Sequence, residues 1–193
     1  NAIQFLKSIR QMFSGGGKRT SLTVKWDGAP AIICGTNPDN GRFFVGTKSV
    51  FNKSPKINYT SADIRKNHGG AVGEKLEICL RELRKLGIKG ILQGDLLFTK
   101  GELKTATLDG EKNIVFTPNT ITYAVPIGTP LASRIANANL GIIFHTTYSG
   151  KSFSSLAARF GANVSRLKKV RSVFFDDAVY KDASGAKFDS GEQ

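Results

Sequence analysis

Cysteine and histidine are scarce in this chain of 193 residues, which contains two of each. Cys34 ends an apolar run, Cys79 falls on the apolar side of a predicted helix, and the two are far apart in the sequence. With only His68 and His145 besides, no group of these residues has the ligand spacing of a zinc site. We therefore expect two buried free thiols, a reducing compartment and no zinc-binding module.

Long hydrophobic runs are missing as well. No apolar segment approaches the length of a membrane span, and the sequence does not open with a secretory signal. These absences predict a cytoplasmic protein that has no membrane partner.

Acidic residues are few relative to basic ones. Fifteen Asp and Glu stand against twenty-eight Lys and Arg, which gives a net charge of +13 and a pI near 9.9. Such an excess favours a polyanionic partner, either nucleic acid or a charged nucleotide. A solvated basic surface without a specific ligand is the alternative.

Residues 1–19 differ in pattern from the rest of the chain. Their first part, 2–13, places apolar side chains on one helical stripe, and a basic stretch with three consecutive glycines then ends it. This stretch does not fit a phosphate-binding P-loop, because the first glycine and the final Ser or Thr of that motif are both missing. We predict an N-terminal helix and flexible basic loop over 1–19, and one further domain over 20–193.

The pattern of apolar residues predicts an α+β protein, with antiparallel hairpins and intervening helices. Strands are predicted at 21–26, 30–35, 42–46, 89–98, 113–116, 119–125 and 140–146. Helices are predicted from about 74 to 86, from Pro130 over a short stretch, and from 153 to about 169.

The predicted helix at 74–86 is the clearest element. Its apolar face consists of Leu76, Cys79, Leu80, Leu83 and Leu86. The spacing of Glu77 and Arg81 predicts an ion pair along the helix, and Gly87 supplies the C-terminal stop.

A lysine at the end of a β-prone run is the most informative feature of the sequence. Lys25 follows the run 21–24 and is followed by an acid and a turn glycine, Asp27 and Gly28, before a second apolar run. Burial lowers the pKa of a lysine and frees its amine to act as a nucleophile.

Three further positions stand out as polar or aromatic residues on or beside apolar strands: Lys48, Asp95 and Tyr123. A buried carboxylate at Asp95 is costly unless it is paired or hydrogen-bonded. Each position also has an ordinary explanation, since Lys48 fits a solvated loop, Asp95 a local ion pair and Tyr123 a core side chain.

Taken in order, these residues resemble the covalent nucleotidyltransferases, the family of DNA ligases, RNA ligases and mRNA capping enzymes. The string Lys25-Trp26-Asp27-Gly28 matches the Lys-x-Asp-Gly signature of that family. Lys48, Asp95 and Tyr123 follow in the order of its strand-end basic residue, its acidic strand residue and its aromatic strand residue. The resemblance spans roughly 20–148 and is closest to uncharacterised bacteriophage proteins of this ligase-like type.

The resemblance implies an ATP-grasp-like domain of antiparallel sheets flanked by helices. It implies Lys25 as the nucleophile that becomes adenylated, with Asp27 beside it as the second catalytic residue. The nucleotide would be held by Trp26, Gly28, Lys48, Asp95 and Tyr123. Tyr123 would stack on the adenine, Lys48 would hold a phosphate, and Asp95 would contact the ribose or Mg²⁺.

The implied cofactors are ATP and Mg²⁺, and the implied partner is DNA or RNA carrying ends or nicks, bound by a monomer. For a protein of phage origin the location would be the host cytoplasm. GTP-dependent capping-type chemistry, a nucleic-acid-binding protein of the same fold without catalysis, and a structural or virion protein are the alternatives.

The sequence also departs from the family pattern. Asp95 replaces the usual glutamate, and Ala29-Pro30 stands where a basic residue is often found. The later Glu-Gly-x-Val strand has only a faint echo at 177–181, and no Lys-x-Lys strand follows it. We expect either that the missing motifs lie beyond Gln193 or that the activity is lost.

Overall fold

Two sheets, antiparallel except for one strand pair, organise residues 26–178, the part of the chain that this computed structural model describes. The strands are β1 (Ala31–Thr36), β2 (Phe43–Gly46), β3 (Ile91–Thr99), β4 (Lys104–Leu108), β5 (Glu111–Phe116), β6 (Tyr123–Pro126), β7 (Leu140–Ser149), β8 (Ala157–Phe160) and β9 (Val173–Asp177). The helices are α1 (Ser61–Asn67), α2 (Gly70–Leu83) and α3 (Pro130–Asn137). The predicted α+β class is confirmed. The helix and basic loop predicted over 1–19 lie outside the described residues, and so does the first predicted strand, 21–26, except for Trp26, which is not in a strand.

The larger sheet has six strands in the order β2-β1-β3-β7-β8, with β9 also paired to β7. All of its pairs are antiparallel except β7 with β9, which is parallel. The smaller sheet has the order β4-β5-β6. In the long central pair, β3 is buried except at Gln93 and Asp95, and β7 is buried over 140–144, where its sequence is an apolar run.

Helix α2 covers one face of the larger sheet. Its predicted apolar residues are all buried and pack into one cluster with β1, β3 and β7. A 3-10 turn continues the helix to Leu86, and Gly87 then adopts φ 67°, the left-handed conformation that ends a helix readily only at glycine. The predicted helix and its stop are therefore confirmed.

The predicted ion pair between Glu77 and Arg81 is wrong. Arg81 instead donates to Glu82 at 3.0 Å, and Glu77 accepts a hydrogen bond from Ser61 and lies 3.8 Å from Arg65. The buried carboxylate of Glu82 is only 1% exposed, so it gains more from a nearby cation than an exposed carboxylate does.

The predicted helix over 153–169 is also wrong. The segment contains two 3-10 turns, strand β8 between them, and a left-handed glycine at Gly161. Its apolar residues have helical spacing, but Phe153 and Leu156 pack against one face of the larger sheet while Val164 and Leu167 pack with the cluster under α2. An extended chain crossing the sheet edge reaches both faces, which a single helix cannot do.

The small sheet begins with a strand that the sequence pattern missed. Strand β4 is largely exposed and carries no buried alternation, so its periodicity gave no signal. The signal lay in the turn, because Asp109-Gly110 joins β4 to β5 with positive φ at both residues, as in two-residue hairpins. Strand β6 begins later than predicted, at Tyr123, because the amides of Thr120 and Ile121 bind the Asp27 carboxylate and not a neighbouring strand.

Both cysteines are buried and free, as predicted. Cys34 on β1 and Cys79 on α2 belong to the same apolar cluster. Burial raises the pKa of Cys79 to about 12 and that of Cys34 well above its usual range, so neither is a reactive thiolate at neutral pH. No helix within residues 26–178 is long and apolar enough to cross a membrane.

Glu82 ties the end of α2 to the sheet beneath it. Its carboxylate accepts hydrogen bonds from Lys85 at 2.7 Å, Arg81 at 3.0 Å and Asn139 at 3.1 Å. Burial by itself raises the pKa of Glu82, but the hydrogen bonds from Lys85, Ser172, Arg81 and Asn139 outweigh it and lower the pKa from 4.5 to about 2.

The lowered pKa predicts acid sensitivity. The stabilisation from ionised Glu82 is complete above pH 4.5 and is lost as the pH falls towards 2, and it amounts to about 3 kcal/mol. In denaturant titrations, Glu82→Gln should lower the free energy of unfolding at pH 7 and flatten its fall between pH 4.5 and 2. The control Glu111→Gln, at an exposed position, should change neither the stability at pH 7 nor its dependence on pH. An unaltered pH profile for Glu82→Gln would show that Glu82 is not the source of the acid sensitivity.

Candidate functional site

Residues 26–28 meet β6 through two direct contacts. The Trp26 ring lies against the Tyr123 ring with centroids 5.4 Å apart, and the backbone N–H of Asp27 donates to the Tyr123 hydroxyl at 2.9 Å. Two positions that are far apart in the sequence, and were singled out by their residue types, are therefore neighbours.

The Asp27 carboxylate closes the loop that leads into β6. One oxygen accepts from Asn119 Nδ2 at 2.9 Å, and the other accepts from Thr120 N and Oγ1, both at 2.7 Å, and from Ile121 N at 2.8 Å. These hydrogen bonds, the one from Asn119 first, hold the pKa of Asp27 well below its usual range. Because Thr120 and Ile121 use their amides here, they are not paired in the sheet ladder, and β6 starts only at Tyr123.

Gly28 lies directly against Asp95 on β3. The chain leaves Gly28 and joins the sheet through hydrogen bonds from Ala29 N to Leu96 O at 3.0 Å and from Leu96 N to Pro30 O at 3.2 Å. A Cβ atom on Gly28 would lie 2.6 Å from Asp95 Cβ, closer than side-chain carbons approach. Glycine is required here by the close approach to Asp95 and not by its backbone angle.

Asp95 has a partner that the sequence analysis missed. His145 Nε2 lies 3.5 Å from Asp95 Oδ1, and each side chain is 20% exposed. His145 sits in the shift of register between β3 and β7, and its Nδ1 lies 2.8 Å from Thr146 Oγ1. The sequence signal for His145 is the same as for Asp95, a polar residue beside an apolar run of its strand.

Tyr123 is surrounded by other rings. Besides Trp26, it stacks on Phe116 of the neighbouring strand, with centroids 5.4 Å apart and planes inclined by 22°. The hydroxyl group points to the Asp27 backbone, so both the ring and the hydroxyl take part in packing this corner. Stacking of Tyr123 on an adenine stays a prediction.

Lys48 lies at the same end of the sheet as Asp95. It is exposed and begins a 3-10 turn directly after β2. Strand β2 leaves the sheet at the Ala31 end of β1, and Asp95 is paired with Ala31 from the other side. Lys48 and Asp95 therefore flank one end of β1. Lys25 lies outside the described residues and is bonded to Trp26.

A family model matches the whole sequence, residues 1–193, and its description is a family of unknown function, DUF6267. The chain belongs to DUF6267. No curated protein and no solved structure matches it.

Asp95 is the carboxylate of the DUF6267 site that was predicted to bind Mg²⁺. Among residues 26–178, no group of three or more acidic, histidine or cysteine side chains is arranged to hold a metal ion. Mg²⁺ is commonly held by one or two carboxylates together with substrate phosphates and water. Asp95, partly exposed, fits that mode, because the phosphates of a bound nucleotide would complete the ligand set.

The hydrogen bonds of Asp27 predict how the 119–121 loop responds to substitution. Asp27→Asn replaces a charged carboxylate by a neutral amide, whose oxygen makes weaker hydrogen bonds, so the amides of Thr120 and Ile121 should be less protected from exchange. Amide hydrogen exchange at these two residues should accelerate markedly relative to the rest of the protein. Asp109→Asn, in a turn conformation that asparagine tolerates, is the matched control and should not change exchange at 119–121. Unchanged exchange in Asp27→Asn would show that the Asp27 carboxylate does not hold the 119–121 loop.

The close approach of Gly28 predicts a second effect. Gly28→Ala should lower the free energy of unfolding by about 1–3 kcal/mol, because the added methyl must displace Asp95 or the chain beside it. Gly101→Ala has no atom within 4 Å of its new methyl and should be nearly neutral. Denaturant titration of both variants measures the difference, and equal stabilities would show that the 26–28 segment can move away from β3.

Proposed function

We propose that this DUF6267 protein is an ATP-dependent, ligase-like nucleotidyltransferase with an ATP-grasp-like domain, in which Lys25 forms a lysyl-AMP intermediate. The observation that supports it is the meeting of Gly28 with Asp95 and of Trp26 and Asp27 with Tyr123. The family order selected these positions from the sequence alone. A chance match to a four-residue motif gives no reason for its distant partners to lie in contact with it.

In the proposed first step, the neutral amine of Lys25 attacks the α-phosphate of ATP. A bond forms between Nζ and phosphorus, the bond to pyrophosphate breaks, and the amine loses a proton. Phosphoryl transfer depends mainly on positioning and on neutralising charge. Mg²⁺ would supply charge neutralisation, with Asp95 and the phosphates as its ligands.

In this proposal the described residues would position the chemistry. Asp27 acts through its hydrogen bonds to the 119–121 loop, which fix the residues next to Lys25 relative to Tyr123. Asp95 lies on β3 beside His145. Because Gly28 has no side chain, residues 26–28 can lie directly against Asp95. Lys48, exposed at the same end of the sheet, would bind a phosphate of the nucleotide or of a nucleic acid.

In the proposed second stage, the AMP passes from Lys25 to the 5′-phosphate of a nucleic-acid end. A 3′-hydroxyl then attacks that phosphate, forms the phosphodiester and releases AMP. The net charge of +13 suits such a substrate, because phosphate backbones bind lysine and arginine surfaces through release of counterions.

A nucleic-acid-binding protein of the same fold without catalysis is the second candidate. It is favoured by the full engagement of Asp27 with a loop and by the protein rings packed against Tyr123, which leave a base less room to stack. A GTP-dependent capping-type enzyme shares the lysine chemistry and differs in the nucleotide.

The test is covalent labelling. Wild type incubated with Mg²⁺ and α-labelled ATP should carry label through denaturing electrophoresis, and the label should be lost in acid but not in alkali, as expected of a phosphoramidate. Lys25→Ala should carry none, because the nucleophile is gone. Lys104→Ala, which removes an exposed lysine on β4, should label like wild type.

Each other outcome has a defined meaning. Label from GTP but not ATP would favour the capping-type reaction. If neither nucleotide labels the protein but it still binds nucleic acid, the enzyme proposal is wrong and the nucleic-acid-binding protein without catalysis is favoured. Equal labelling of Lys25→Ala and wild type would show that Lys25 is not the nucleophile.

A further inference from the structure

An exposed phenylalanine stands on the opposite face of the larger sheet from α2. Phe51 ends the 3-10 turn that Lys48 begins, and it is 44% exposed. The centroid of its ring lies 5.0 Å from that of Tyr148 and 5.9 Å from that of Phe153. Phe153 in turn packs on buried Phe44 of β2. We call the three rings of Phe51, Tyr148 and Phe153 the aromatic platform.

The loop that carries Phe51 is held in shape by hydrogen bonds. Lys56 N donates to Ser49 O at 3.1 Å and closes the loop on itself. The fully buried Asn58 exchanges two backbone hydrogen bonds with Val45 and adds a third from its side-chain amide. Phe51 is therefore presented by a preorganised loop, so little ordering cost would accompany a contact to its ring.

The two chain segments that form the platform carry basic residues and no acidic ones. The two segments that supply its rings, 42–60 and 148–160, contain no aspartate or glutamate. Their basic residues are Arg42, Lys48, Lys53, Lys56, Lys151 and Arg159. Two carboxylates lie three residues outside the first segment and are both hydrogen-bonded to backbone: Asp39 accepts from Phe153 N, and Asp63 accepts from Tyr59 N and Thr60 N. Protein-binding surfaces are depleted in lysine, whereas aromatic rings among lysines are typical of surfaces that bind single-stranded nucleic acid.

We propose that the aromatic platform binds an unpaired stretch of nucleic acid, with one base stacked on Phe51 and phosphates bound by Lys53 and Lys56. Both lysines are exposed on the same closed loop as Phe51, and Lys56 Nζ, which donates to Asn67 O, keeps further N–H groups for a phosphate. Stacking requires an unpaired base, so the platform selects single strands or frayed ends over closed duplex. The proposal shares only the nucleic-acid partner with the proposed function and does not depend on Lys25.

The test is binding of labelled oligothymidylate and oligouridylate, followed by fluorescence anisotropy. Phe51→Leu keeps an apolar side chain but removes the aromatic face, and it should weaken binding about tenfold. Phe51→Trp should retain the affinity. Leu108→Ala, at a position on the small sheet that is 45% exposed, is the matched control and should bind like wild type. An abasic strand of equal length should bind wild type and Phe51→Leu equally.

The lysines give an independent measurement. Lys53→Gln with Lys56→Gln should reduce the slope of log affinity against log salt by about 1.4, because two phosphate contacts are lost. Lys104→Gln with Lys112→Gln, on the hairpin of β4 and β5, removes the same charge elsewhere and should leave more of the slope intact. Equal slopes for the two double variants would overturn the role of Lys53 and Lys56.

Other outcomes would overturn the platform itself. If Phe51→Leu binds both oligonucleotides like wild type, no base stacks on Phe51. If wild type binds neither, and sedimentation shows self-association that Phe51→Leu abolishes, the rings form a protein interface. Far-UV circular dichroism of the same variants detects a folding defect. Covalent labelling of these variants measures the Lys25 chemistry separately from strand binding. Unchanged labelling with weakened strand binding is the expected combination.

Discussion

The candidate site depends on the antiparallel pairing of β3 with β7 at the centre of the larger sheet. Gly94 on β3 allows this approach, because a Cβ there would lie 2.6 Å from the carbonyl oxygen of Ile143. The register shift next to Gly94 then leaves His145 beside Asp95. The pairing thus supplies the scaffold, and one irregularity within it brings a carboxylate and an imidazole together.

Two short-range constraints attach the Lys-x-Asp-Gly segment to that scaffold. Gly28 has no side chain, so the backbone lies against Asp95, and the Asp27 carboxylate binds the loop before β6. The segment is thereby connected to both sheets within two residues. In the proposed enzyme these contacts would fix Trp26 and Asp27, the residues that follow Lys25 in the sequence, while the platform around Phe51 would hold the polynucleotide.

Prediction from the sequence succeeded where one physical signal dominated. The apolar stripe of α2 and the stop at Gly87 are local properties of the chain, and so is the proline that begins α3. It failed where apolar residues of one segment serve two clusters, as Phe153 and Val164 do on opposite sides of the sheet. It also failed for the ion pair of Arg81, whose partner was decided by the burial of Glu82.

By itself the sequence determined the α+β class, the basic character of the protein, the buried thiols and the order of the candidate residues. Only the tertiary structure decided which of those residues meet. The contact of Gly28 with Asp95, the pairing of Asp95 with His145 and the binding of Asp27 to Thr120 all join distant segments. Local periodicity records which face of an element is apolar, but contacts between segments follow from strand register and packing, which no single segment encodes.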